Sequence, residues 1–113
     1  MAMVPAVIFF CTAVDAVSPT ALACSSGETV ILADIRAAAV DQSTRDLQRD
    51  GLRRIVLNKR LQCQRIGGRG RAVVGRCTYN GRDIAAAQVL AGHAEFRGDV
   101  MMATRDGRAD RGS

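Results

Sequence analysis

The sequence predicts one mixed α+β domain, on three observations. Glu28 to Ile35 is a β-branched apolar run, and Gln42 to about Leu57 repeats apolar residues at near-helical spacing. Leu61 to Ile66 and Ala72 to Tyr79 read as two strands around a glycine-rich turn. At 113 residues the chain is one domain's worth, since single cores usually run to about 100–150 residues, which excludes multidomain architectures and large α/β barrels. Hydrophobic residues make up 48 %, enough to bury a core, so simple disorder is excluded as well.

The first element is the apolar run from Met3 to Val14, interrupted at Asp15. It is well short of the roughly 20 residues needed to cross a bilayer, so no membrane span is expected. It reads as the core of a secretory signal, with Ala21-Leu22-Ala23 supplying the small-x-small pattern ahead of Cys24. No Lys or Arg precedes the run and Asp15 lies inside it, two features a signal normally lacks. The expectation is a signal peptide over residues 1–23, cleavage after Ala23, a folded domain over 24–96 and a periplasmic or secreted location. Lipidation at Cys24 is the alternative, although Leu22 sits one place too close to that cysteine for a good lipobox.

Cleavage would remove Cys11 and leave Cys24, Cys63 and Cys77, with one thiol over in a compartment that favours disulfides. Cys63 and Cys77 are centred on residue 70 of Gly67-Gly-Arg-Gly70, so they can face each other across a hairpin. A bridge closing about 15 residues contributes roughly 3 kcal/mol. The alternative is a pair of reduced core cysteines in a cytosolic protein. Three cysteines without CxxC spacing and the single His93 do not make a zinc site.

Between strand and hairpin, Ser43-Thr-Arg-Asp46 resembles a capping box with Asp in place of Glu, and Val40, Leu47, Leu52, Ile55 and Val56 mark the apolar side of a helix. Its polar side carries Arg45, Arg49, Arg53 and Arg54 interleaved with Asp41, Asp46 and Asp50, the pattern of a solvated face. After the hairpin, Asn80-Gly81 is a strong type I′ turn signal, because both central residues need positive φ. Asp83 can cap a helix from Ile84 to Ala91, packed through Ile84, Val89 and Leu90 and closed by Gly92 in the left-handed conformation. From Arg97 to Ser113 charges alternate with glycine without periodicity, which predicts a flexible tail.

Lys plus Arg number 16 against 11 Asp plus Glu, for a net charge of +5, and all but Lys59 of the basic residues are Arg. Guanidinium groups suit bidentate contacts to phosphate or carboxylate, while a high-GC genome gives the same bias without functional meaning. With no Trp, one Tyr and three Phe there are few rings on which to stack bases, so any nucleic-acid binding is expected to rest on charge.

The order strand, Arg-rich helix, strand with Cys, Gly-Arg loop, strand with Cys, Asn-Gly turn and Ala-rich helix resembles the C-terminal two thirds of staphylococcal nuclease-like (thermonuclease) domains, over roughly Thr29 to Phe96. The most telling piece runs from Arg69-Gly-Arg-Ala-Val-Val-Gly-Arg-Cys77 through Asn80-Gly-Arg-Asp-Ile84 to Gly92-His-Ala94. It looks like the family's Asp-Arg-Tyr-Gly-Arg block, strand, glycine turn, helix and Gly-x-Ala close. Leu32-Ala-Asp-Ile-Arg-Ala-Ala38 looks like the segment that ends in Asp-Ala/Thr-Pro-Glu. The resemblance implies an OB-type, partly open five-stranded β-barrel with flanking helices.

Active members of that family hydrolyse DNA and RNA with a calcium ion held by two aspartates, a glutamate that serves water, and two arginines on the phosphate. In register, Arg36 stands at the calcium-ligand aspartate, Ala39 at the glutamate and Ile31 at the first arginine, and Ser26-Gly-Glu-Thr29 is at best a remnant of the upstream Asp-Gly-Asp-Thr. Counting back from Cys77 puts the second arginine at Ala72, and a one-residue loop shift brings Arg71 there. No catalytic set is intact, Arg71 is the one candidate, and no cofactor is expected unless a calcium-dependent nuclease survives. Arg65, Arg69, Arg71 and Arg76 are the candidate phosphate-binding residues, so nucleic acid is a candidate partner through an arginine hairpin. The family's first strands are missing from the matched segment. Without them a sheet edge would lie open to a protein partner or a second copy.

Overall fold

Residues 7–23, which the sequence assigns to a leader, form two paired strands together with Cys24. In the computed structural model, which describes residues 7–38 and 41–97, Val7–Ser18 is β1 and Ala21–Cys24 is β2. They pair antiparallel with irregularities near Asp15 and Ser18, and Cys11 is bonded to Cys24 across them. Cys11 and Ala13 point into the core while Ile8, Phe10 and Val14 stay about half exposed. With apolar residues on both faces, β1 lacks the polar alternation of a half-buried strand and reads as a continuous apolar run.

Thr29–Leu32 forms β3, antiparallel to β2. The run expected to be one strand divides here: Ala33 and Asp34 turn the chain, and Ile35–Ala37 is β4, outside the main sheet. Helix α1, Gln42–Val56, is capped by Asp41, whose carboxylate accepts from the Thr44 N–H and from the Ser43 and Thr44 hydroxyls. Asp41 thus takes the capping role that the Ser43-to-Asp46 pattern suggested for Ser43, because a β-region residue ahead of the first turn aims its oxygen at the free N–H groups.

The hairpin consists of β5, Arg60–Arg69, and β6, Ala72–Tyr79. Cys63 is directly opposite Cys77 and bonded to it, with a Cα–Cα distance of 4.0 Å, and the turn opens at Gly70 (φ 55°). Asn80 (φ 52°) and Gly81 (φ 80°) turn the chain into β7, Arg82–Asp83. Helix α2, Ile84–Leu90, is capped by Asp83, and Gly92 (φ 82°) leads out of it toward β8, Ala94–Phe96, which pairs with β4. Ile84 is buried and Val89 packs on the core, but Leu90, the last residue of the short helix α2, is 85 % exposed and does not take the packing role expected of it.

β1 pairs with β5 as well as β2, and β3 pairs in parallel with β6. The order β1-β2-β3-β6-β5 therefore returns to β1 and closes a five-stranded barrel, consistent with an OB-like barrel flanked by two helices. The edge expected to lie open does not: residues 7–24 supply the strands that the matched segment lacked, and β3 finds its second partner in β6. Leu22, Val30, Leu32, Leu52, Val56 and Leu61 fill the interior and are shielded almost completely from solvent. Two disulfides, each closing about 15 residues and worth roughly 3 kcal/mol, support this small core. They are compatible with an oxidising, extracellular type of compartment. Among the described residues no helix is long and apolar enough to cross a membrane. The expected tail lies outside the described residues except for Arg97.

Candidate nucleic-acid interface

The chain from Gly51 to Arg82 holds nine Arg or Lys residues and no Asp or Glu. This stretch is the end of α1, the whole β5–β6 hairpin and the start of β7, so the excess positive charge is concentrated on one supersecondary unit. Composition alone conceals this, because acidic residues elsewhere dilute it to +5. A scan for the spacing between acidic residues would have found it.

The hairpin does not present its four predicted phosphate ligands together. Alternation puts Arg76 on the outer wall of the barrel, opposite Gln64, and Arg65 on the other side, opposite Gly75. Arg65 is half-buried and its Nη2 donates to the Gly68 carbonyl at 3.3 Å. The ladder irregularity between Arg65 and Gly67 changes the alternation, and Arg69 ends β5 exposed, opposite Ala72. Arg71, in the turn, reaches the neighbouring β2–β3 loop, where Nη1 donates to the Ser26 carbonyl at 3.1 Å. It passes so close over Gly27 that a β-carbon there would meet Nη1 at 2.1 Å. Ser26 donates its hydroxyl to Glu28, which holds that carboxyl below its usual range, and the charge of Arg71 acts in the same direction.

Arg76 is committed to a carboxylate. Its Nε and Nη2 donate to the two oxygens of Asp34 at 2.8 and 3.1 Å, and Asp34 is the more buried partner. Arg36, on β4, faces Glu95 on β8 and pairs with it at 3.1 Å. Ala39 lies outside the described residues. Sequence reasoning missed two cations on this surface. Arg60, at the start of β5, packs its guanidinium 4.0 Å from the centre of the Phe10 ring. Lys59 lies over Tyr79 at 5.2 Å while donating to the Ile55 carbonyl. Arg60 and Arg69 make no ion pair with a described residue.

Among the described residues no three His, Cys, Asp or Glu side chains come together. The position that the resemblance makes a calcium ligand is a guanidinium, which has no lone pair to offer a metal and occupies the nearby carboxylate of Glu95. The described side chains at that position do not fit a calcium ion. No family model matches the chain, and no curated protein matches it in sequence.

Proposed function

We propose that the chain is an exported, thermonuclease-like OB barrel that binds nucleic-acid backbones and does not hydrolyse them. The observation that carries this reading is the acid-free segment from Gly51 to Arg82, which runs from the end of α1 through a hairpin whose tip exposes Arg69 and Arg71. Arg53 and Arg76 of this segment are paired with Asp15 and Asp34. Guanidinium groups such as those of Arg60 and Arg69, which make no ion pair with a described residue, can release counterions from a phosphate backbone, and this requires neither metal nor base recognition. Arg71 has the further advantage of being pre-positioned: its bond to Ser26 uses one of five donors and leaves the others for phosphate.

Calcium-dependent hydrolysis is the competing reading, and Arg36 speaks against it. A cation at the metal position, engaged by Glu95, leaves no pair of carboxylates there to hold calcium. Fluorescence anisotropy with a labelled oligothymidylate over a salt series is the direct test. Arg69→Ala and Arg71→Ala should each weaken binding and flatten the log-log salt dependence by about 0.7. Salt-insensitive binding would sink the reading. So would calcium-dependent cleavage of the oligonucleotide that disappears in Arg71→Ala.

A further inference from the structure

The outer wall of the barrel carries a feature that phosphate binding does not need. On β1, Phe10 points outward and is 50 % exposed, although a ring of that size is normally covered. Directly opposite on β5 is Gln62, and one step along the diagonal is Arg60, whose guanidinium lies against the ring. The same outward row continues through Gln64 and, on β6, Thr78 and Arg76. The row sinks into a depression of about 240 Å³ lined by Ile8, Gln62, Gln64, Arg76 and Thr78 and also by Asp83, whose carboxylate accepts from the Ala86 N–H. Neither β5 nor β6 contributes an acidic residue.

A ring with a guanidinium laid against it is a flat, cationic platform. Unpaired bases stack on such surfaces whatever their identity, because every base offers a π-face. The amides of Gln62 and Gln64 and the hydroxyl of Thr78 supply the donors and acceptors that base edges or sugars require. A duplex keeps its bases stacked on one another and cannot use the platform. An apolar protein partner would leave the three polar side chains and Arg60 without matched groups.

We infer that Phe10 and Arg60 form a base-stacking site that makes the backbone-binding surface selective for single strands. This rests on the function proposed above and adds strand selectivity to it. The site lies on the β1–β5 wall, whereas Arg69 and Arg71 lie at the hairpin tip, so the two contributions separate by mutation.

The experiment compares anisotropy titrations of labelled oligothymidylate and of a duplex of equal length, for the native chain, Phe10→Ala, Phe10→Trp and Arg60→Lys. The native chain should prefer the single strand. Phe10→Ala should lose about 5- to 150-fold in affinity for oligothymidylate, the range that base–aromatic stacking spans, with its duplex binding and salt dependence unchanged. Phe10→Trp should keep the preference. Arg60→Lys retains the charge but not the plane, and should lose part of the single-strand affinity at constant salt slope. It also keeps the test decisive if Phe10→Ala melts early. If the native chain binds neither probe, the backbone-binding reading fails and this inference with it. If both probes bind alike and Phe10→Ala and Arg60→Lys change neither affinity, backbone binding stands and the stacking site is overturned.

Discussion

His93 lies against α1 at Gly51, so close that a β-carbon on residue 51 would meet Nδ1 of the imidazole at 2.1 Å. A mid-helix glycine costs about 1 kcal/mol relative to alanine, so Gly51→Ala gains that much in isolation. The clash outweighs it, because three ring atoms lie within 2.9 Å of the new carbon and the ring must move as a whole. Gly51→Ala is expected to destabilise the fold by about 1–3 kcal/mol in chemical denaturation. Adding His93→Ala should recover most of that loss, and strictly additive effects in the double-mutant cycle would contradict the packing account.

The bond between Cys11 and Cys24 makes the first strand part of the fold. Cutting after Ala23 would remove β1 and all of β2 but Cys24, strip β5 of one of its two ladder partners and leave Cys24 without its disulfide partner. Peptide mapping of the folded protein under non-reducing conditions should give Cys11–Cys24 and Cys63–Cys77 linkages and no free thiol. Replacing Cys11 and Cys24 together by Ser should cost about 3 kcal/mol. A stable folded product that begins at Cys24 would refute the assignment of β1 to the barrel.

The contrast between the two cysteine pairs shows what the sequence could and could not disclose. Cys63–Cys77 was legible because a glycine turn fixes the hairpin register locally, and register then dictates which residues face each other. Cys11–Cys24 was not. Its strand is apolar on both faces, and its ladder partner β5 lies far along the chain, so only closure of the barrel distinguishes it from a leader. Helix α1 was legible from its own periodicity, but the division of the 28–35 run into β3 and β4 depends on β6 and β8, which no local pattern reveals. Among the candidate ligands, Arg69 and Arg71 follow from the turn. The commitment of Arg76 to Asp34 and the platform of Phe10 and Arg60 are products of tertiary pairing.

Asp41 should give the fold a distinct acid response. Hydrogen bonds from the Thr44 hydroxyl and N–H and from Ser43 lower its carboxyl to about 2 in the native state. In the unfolded chain it titrates in the ordinary Asp range near about 3.9. Because the native value is the lower one, the stabilisation is complete above about pH 4 and fades as pH falls toward 2. Asp41→Asn can still cap the helix but does not titrate. The difference in Tm between the native chain and Asp41→Asn should therefore shrink from about pH 5 to about pH 2. Parallel curves across that range would show that the cap is not charge-dependent.

Asp34 restrains Arg76, and its removal should separate structural from binding roles. The carboxylate is mostly buried and receives two guanidinium bonds, so it is the better-ordered half of the pair. With Arg76 about half exposed, solvent screens the interaction, and Asp34→Ala should cost only about 1 kcal/mol of stability. The freed guanidinium sits on the outer wall opposite Gln64, in the outward row that also carries the proposed stacking site. Oligothymidylate affinity should then rise, and the log-log salt dependence should steepen by about 0.7, the contribution of one added phosphate contact. Arg76→Ala in the native background should lower stability by a similar amount and leave the salt slope unchanged, since Arg76 is neutralised there already. If Asp34→Ala weakens binding instead, the Asp34–Arg76 pair holds the binding surface in shape and Arg76 itself makes no phosphate contact.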